Sequence, residues 1–268
     1  MFSPCRSSVK GRVPRIDIPG LSMHFEQAGQ GPALLMIPGA LGTGAGDFSA
    51  QIGWFAERGF TAIAPDPRGY GRSRPPRRDF PRDFYHRDAT DMFALMSGLG
   101  HRYFAIMGWS DGANIATIMA AQQPERVTRL VVFGGQSFLT AEEIAAFNDI
   151  RKITAWSPRA AEAMRQIYGT ELDTLWNAYV DGQEALYNAG GDLYQPLLSR
   201  VACPALVLHG ARDPLVPGLH PQAIHRGIAG SRLHIFPDGK HNIHLRYADP
   251  FNAITHSFLT EPDHFPAV

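Results

Sequence analysis

Ser110 sits in the run Gly108-Trp109-Ser110-Asp111-Gly112, between apolar residues ending at Met107 and a helical pattern beginning at Asp111. In that setting Gly-x-Ser-x-Gly describes a sharp strand-to-helix turn: small residues let the backbone close, and the serine projects from it. A serine hydroxyl is a weak nucleophile, so it needs a base, and the base needs an orienting acid. The chemistry is acyl transfer, and on such a scaffold acid and histidine follow the serine on later strand ends.

Two later runs supply them. Ala205 to Leu208 leads into His209-Gly210-Ala211-Arg212-Asp213, and Leu233 to Phe236 leads into Pro237-Asp238-Gly239-Lys240-His241. Asp213 and His241 therefore stand just past strand carboxyl ends, where open α/β sheets bind ligands. Position selects His241 from eleven histidines, with His244 the nearest alternative. Asp238 is the alternative acid, its other role being turn formation. An imidazole base stops working when protonated, so activity should fall on the acid side of neutrality.

A tetrahedral intermediate needs donors for its oxyanion. One is the backbone N–H of Asp111; the other comes from Ala40 or Leu41, in the loop Pro38-Gly39-Ala40-Leu41-Gly42 after the third strand. The Asp111 side chain has two readings. As a carboxylate in the first turn of a helix it complements the helix dipole. Facing the site, it would bind a cationic group beside the scissile carbonyl.

Apolar runs and helical patterns alternate along the chain. Strands are expected at Arg15–Ile18, Leu21–Gln27, Ala33–Ile37, Thr61–Ala64, Tyr103–Met107, Leu130–Phe133, Ala205–Leu208 and Leu233–Phe236. Helices are expected at Asp47–Arg58, Phe84–Leu99, Asp111–Gln122 and Asp249–Leu259. Continuous strand hydrophobicity implies burial on both faces, and the alternation implies a mostly parallel sheet with crossover helices. The rhythm breaks from about Gln136 to Gln195, a helical, aromatic-rich stretch including Tyr168, Trp176 and Tyr179. The expected division is a flexible tail at 1–14, a core at 15–135 and 196–268, and a helical cap at 136–195.

Lys plus Arg and Asp plus Glu both number 25, so formal charge is zero and no nucleic-acid partner is indicated. Arg72-Ser73-Arg74-Pro75-Pro76-Arg77-Arg78 reads as a solvated basic loop. The Gly-rich run Asp66-Pro67-Arg68-Gly69-Tyr70-Gly71-Arg72-Ser73 lacks a P-loop ending and reads as structural. Two cysteines, Cys5 and Cys203, suggest no bridge and a reducing compartment. No apolar run approaches the ~20 residues of a membrane span. Met1 to Arg15 has four cations and no acid but lacks the apolar core of a secretory signal. A cytoplasmic location is expected, or mitochondrial were this segment a transit peptide. The expected protein needs no metal or cofactor and is a monomer or weak homo-oligomer acting on a small-molecule ester.

Asp66 to Gly71, Gly108 to Gly112, Cys203-Pro204-Ala205-Leu206-Val207, Asp213-Pro214-Leu215-Val216-Pro217 and Gly239-Lys240-His241-Asn242 together resemble the biphenyl hydrolase-like (valacyclovir hydrolase) family. The likeness begins near residue 14, and Asp after the serine is its more specific part. Ala113 departs from the glycine expected there, which bears on helix packing. The resemblance implies the α/β-hydrolase fold, with an eight-stranded, mostly parallel sheet flanked by helices and a helical cap. It implies an esterase for α-amino-acid esters with a free amino group, acting through an acyl-enzyme. It assigns Ser110, Asp213 and His241 to the triad and Asp111 to the substrate's α-ammonium. Competing readings are a general carboxylesterase, a carbon–carbon bond hydrolase, a perhydrolase, or a non-catalytic small-ligand receptor on the same fold.

Overall fold

The structure, a computed structural model, describes residues 14–262. The tail expected at 1–14 lies outside them except for Pro14. Strands β1 (Arg15–Ile18) and β2 (Leu21–Ala28) form a hairpin across Pro19-Gly20, where Gly20 takes φ 71°. β3 (Ala33–Ile37), β4 (Thr61–Pro65), β5 (Phe104–Trp109), β6 (Val127–Phe133), β7 (Ala205–Gly210) and β8 (Arg232–Phe236) complete the sheet. Its eight strands run in the order β1-β2-β4-β3-β5-β6-β7-β8. β2 is antiparallel to both neighbours, and β3 through β8 pair in parallel.

Ten helices accompany the sheet among the described residues, some between its strands, three in an insertion and two after β8. They are α1 (Gly44–Asp47), α2 (Ile52–Ala56), α3 (Phe84–Gly98), α4 (Asp111–Gln122), α5 (Ala141–Asp149), α6 (Pro158–Tyr168), α7 (Leu172–Asn188), α8 (Leu219–Gly227), α9 (Ile243–Arg246) and α10 (Ala248–Thr260). Strand side chains alternate between faces. Leu34 and Met36 of β3 enter a core with Phe48, Phe55, Phe251 and Phe258. Leu35 and Ile37 enter the opposite core with Met92, Ile115 and Ile118. Each fully buried Leu, Ile or Phe contributes roughly 1.5–3 kcal/mol, so the central strands are fixed by the apolar runs that mark them.

Three expectations are corrected. β8 is not buried on both faces: it is the sheet edge, and Ile235 is 38% exposed. The helix expected over Asp47–Arg58 is two short ones, α1 and α2. Gln51 lies in the turn between them, and its buried amide donates to the carbonyl of His244 (2.8 Å) and to Asn252 Oδ1 (3.0 Å). These long-range bonds hold the turn against continuing the helix. Finally, Arg72–Arg78 is not a simple solvated loop. Arg78 Nη1 donates to Asp88 Oδ1 at 2.8 Å, with both side chains 1% exposed. The guanidinium also lies over the rings of Tyr70, Phe80 and Phe84. Arg74 and Arg77 both bond Glu171.

Between β6 and β7 the chain forms α5, α6 and α7 with short 3-10 turns. Among the described residues this insertion has a single strand-like pairing, the bridge Phe138–Asp192. Its neck is closed by Leu139 N–H to Gly191 O (2.7 Å) and Leu193 N–H to Ser137 O (3.0 Å). Thr140 and Glu143 form a capping box at the start of α5, and Ser157 caps α6 ahead of Pro158. No described helix is long and apolar enough to cross a membrane.

Candidate active site

The turn from β5 into α4 explains its own sequence. A Cβ on Gly108 would meet Gly112 O at 2.2 Å, and one on Gly112 would meet Ile37 O at 2.0 Å. Only glycine fits either place. Between them Ser110 takes φ 55°, a left-handed conformation that is strained for a side chain with a Cβ. Its N–H donates to Phe133 O at 2.9 Å, and its carbonyl accepts from Ala113 N at 2.9 Å. The strain is held from both sides, and the hydroxyl is aimed out of the sheet. Ala113 is fully buried behind the turn, in the packing role its departure from glycine suggested.

The β7 and β8 loops are clamped to each other. Ala211 N–H donates to Phe236 O (2.9 Å) and Arg212 N–H to Gly239 O (2.8 Å). A Cβ on Gly210 would sit 2.5 Å from the Gly239 backbone. That contact brings Asp213 beside His241. His241 Nδ1 lies 2.7 Å from Asp213 Oδ2, and His241 Nε2 lies 3.0 Å from Ser110 Oγ. Asp213 Oδ1 accepts from the N–H groups of Leu215 (2.9 Å) and Val216 (3.1 Å). Burial alone would raise the Asp213 pKa. The adjacent His241 and the two backbone donors outweigh it and hold the carboxyl below its ordinary value. An ionised acceptor at Nδ1 leaves Nε2 free to accept a proton. Trp109 Nε1–H donates to the His241 carbonyl at 2.9 Å and steadies the loop.

The alternatives fall elsewhere. His244 is fully buried against Trp109, Phe133 and Phe48, and its Nε2–H donates to Asp47 O at 2.9 Å. Burial pushes its pKa down to about 3, so it stays neutral inside the core. Asp238 is 68% exposed and pairs with Arg212.

The loop after β3 passes beside Ser110: a Cβ on Gly39 would lie 3.2 Å from Ser110 Cβ. Leu41 takes φ 59°, its carbonyl accepting from the Tyr168 hydroxyl at 2.7 Å. The same hydroxyl accepts from Gly71 N–H at 3.2 Å. Gly39 N–H is taken by Asp47 Oδ2 at 3.1 Å. The N–H of Ala40 makes no hydrogen bond among the described residues, whereas that of Leu41 faces the Tyr70 hydroxyl. The N–H of Asp111 opens α4, where helix geometry provides no partner. The Asp66 run is structural, as read: its carboxylate accepts from Gly44 N–H (3.0 Å) and Arg72 N–H (2.8 Å).

Asp111 is 5% exposed. Its Oδ1 accepts from two phenols, Tyr85 of α3 at 2.7 Å and Tyr179 of α7 at 3.0 Å. Its Oδ2 has no partner among the described residues. Burial pushes the Asp111 pKa up to about 6, against the lowering effect of the two phenols and the Arg78 charge. The two phenols are themselves raised well above 10, first by burial and then by the Asp111 charge. Sequence reasoning noted Tyr179 only as an aromatic of the insertion and missed Tyr85 and Gln183. Gln183 Nε2–H donates to Tyr85 Oη at 3.0 Å.

Residues 32–156 match the α/β hydrolase fold family. The human protein named serine hydrolase BPHL is 42% identical over 91% of this chain and 85% of its own length. A Comamonas testosteroni protein named 2-hydroxy-6-oxo-6-phenylhexa-2,4-dienoate hydrolase is 27% identical over 93% of this chain and 95% of its own. A meta-cleavage product hydrolase of Pseudomonas fluorescens superposes with a TM-score of 0.79, at 19% identity, over 93% of this chain and 98% of that one. The chain belongs to the serine hydrolases of the α/β-hydrolase fold, in the group that includes BPHL.

Proposed function

We propose that this hydrolase cleaves α-amino-acid esters that carry a free amino group, through an acyl-enzyme on Ser110. The observation that carries the reading is the unpartnered, buried Oδ2 of Asp111, one residue from the nucleophile. A buried carboxylate oxygen without a donor is costly to maintain, and an ammonium next to the scissile carbonyl would satisfy it. In the proposed mechanism Ser110 Oγ attacks the ester carbonyl as His241 Nε2 takes its proton. Asp213 holds the imidazole and stabilises its cation. The oxyanion is received by the Asp111 N–H and by the N–H of Ala40 or Leu41. His241 then returns the proton to the departing alcohol. Water, deprotonated by His241, attacks the acyl-enzyme carbonyl, and Ser110 leaves with the proton.

The test compares kcat/KM for a valine ester and its N-acetyl form in wild type and Asp111→Asn. A charge-assisted hydrogen bond contributes roughly 1.5–3 kcal/mol. Wild type should therefore prefer the free amine by roughly ten- to a hundredfold, and the variant should lose that preference while still cleaving the N-acetyl ester. No preference in wild type would defeat the reading. A dienoate carbon–carbon substrate, anionic by chemistry, would be repelled by the ionised Asp111.

The same carboxylate makes a stability prediction. Its ordinary pKa of 3.8 is raised to about 6 on folding. Below about pH 4 it is protonated in both states and burial carries no charge penalty. As pH rises through about 6 the folded state must bury a charge, and stability falls, by up to about 3 kcal/mol at ~1.4 kcal/mol per unit. Asp111→Asn should thus be more stable than wild type in urea at about pH 7.5, with the gain gone near pH 4. An equal gain at both pH values would show that charge burial is not its source.

A further inference from the structure

We propose that Gln183 of α7 is a specificity-determining residue: its side-chain oxygen is a second acceptor, beside Asp111 Oδ2, for the substrate ammonium. The enzyme then selects amines with at least two N–H groups over amines with one. The inference rests on the amino-ester reading and deepens it.

The donor and acceptor inventory fixes the orientation of the amide. An ionised Asp111 can only accept, and the Tyr85 hydroxyl has one proton. That hydroxyl lies 2.7 Å from Asp111 Oδ1, so it donates there. Gln183 approaches the same hydroxyl at 3.0 Å. With the phenolic proton already committed, Gln183 must present its NH2 group and not its oxygen. Its Oε1 is therefore turned away from Tyr85. Gln183 is fully buried, and Oε1 has no partner among the described residues.

Two buried acceptors, Asp111 Oδ2 and Gln183 Oε1, are thus left without donors, and one phenol bridges the groups that bear them. Buried acceptors are normally satisfied. A ligand supplying one N–H could relieve one of them. A primary ammonium, with two N–H groups to spare, could relieve both. Gln183 comes from the insertion and Asp111 from the core, so both parts of the chain would read one substrate group.

The experiment measures kcat/KM for valine esters bearing a free amine, an N,N-dimethylamine or an N-acetyl group. The proteins are wild type, Gln183→Met, Gln183→Glu and Asp111→Asn, with urea stability and fluorophosphonate labelling as controls for folding and for Ser110. Wild type should prefer the primary amine to the dimethylamine by about tenfold, the scale of a hydrogen bond to a charged group. Gln183→Met should lose most of that step yet still prefer the dimethylamine to the N-acetyl ester, because Asp111 remains. Gln183→Glu keeps an acceptor and should retain the step. If Gln183→Met keeps the wild-type ratio, the selection is steric or belongs to Asp111 alone, and the proposal fails. Should Gln183→Met not fold, Gln183→Leu gives the same contrast. If wild type does not prefer the free amine to the N-acetyl ester, it is the amino-ester reading that fails.

Discussion

Ser110→Ala should lower kcat by about four to six orders of magnitude while leaving urea stability within about 0.5 kcal/mol of wild type. The proposed nucleophile contributes its hydroxyl and little else. Its strained φ of 55° is imposed by the Gly108 and Gly112 packing and by the bond to Phe133 O, none of which involves the hydroxyl. The hydroxyl's hydrogen-bond partner is His241 Nε2 at 3.0 Å. His241→Ala should fall about as far, and the double variant hardly further, because residues that act as one unit are non-additive. A fluorophosphonate reagent should label wild type and neither Ser110 variant. Residual activity within a hundredfold of wild type, or undiminished labelling of Ser110→Ala, would rule out Ser110. A small-ligand receptor on this fold would show neither turnover nor labelling in the wild type.

Arg78→Leu should destabilise the fold by about 3–5 kcal/mol, the range for removing one partner of a buried ion pair. Arg78 and Asp88 are each 1% exposed at the side chain, so leucine at 78 leaves a carboxylate with neither water nor a cation. Burial opposes the charge on Arg78, but Asp88, Tyr70 and Asp111 outweigh it and hold the Arg78 pKa above its ordinary value, so the guanidinium stays charged. Asp88→Leu alone should be as damaging. The double leucine variant should recover most of the loss, since replacing a whole buried pair by apolar groups is often neutral. Urea titrations of the four proteins form the cycle. A loss under about 1 kcal/mol for Arg78→Leu would mean that the loop is held by its ring contacts.

The grouping of Ser110, Asp213 and His241 was legible because it obeys chain order. Each member follows an apolar strand, and parallel strands deliver their carboxyl ends to one edge. His241 and His244 differ by three residues and were separable by the strand end alone; the buried contact of His244 with Asp47 O has no local sequence signal. The fate of Arg78 was illegible for a similar reason. A basic run reads as solvated until its partners are known, and Asp88 and Glu171 belong to a helix and an insertion further along the chain. The clasp on Asp111 was also hidden. Tyr85 and Tyr179 lie 26 and 68 residues from it, on opposite sides in sequence, and a tyrosine on an apolar helix face looks like any other core residue. The expected Asp47–Arg58 helix failed for want of the same knowledge, since Gln51 is held by Asn252. Local pattern shows which segments become strands and turns. Polar bonds between distant segments decide what each turn is for.

Tyr168 carries a consequence for how such enzymes diversify. Its hydroxyl joins the insertion to the Leu41 carbonyl and the Gly71 amide, both in core loops. Insertions between two strands are often treated as exchangeable modules, with substrate range changed by recombination at the neck. Here a transplanted insertion without a hydroxyl at that point would leave the Leu41 peptide unclasped, with its left-handed turn to maintain unaided. Ancestral changes to the insertion and to the Gly39–Gly42 loop should therefore have been inherited as a pair, and chimeras between relatives should work best when both segments come from one parent.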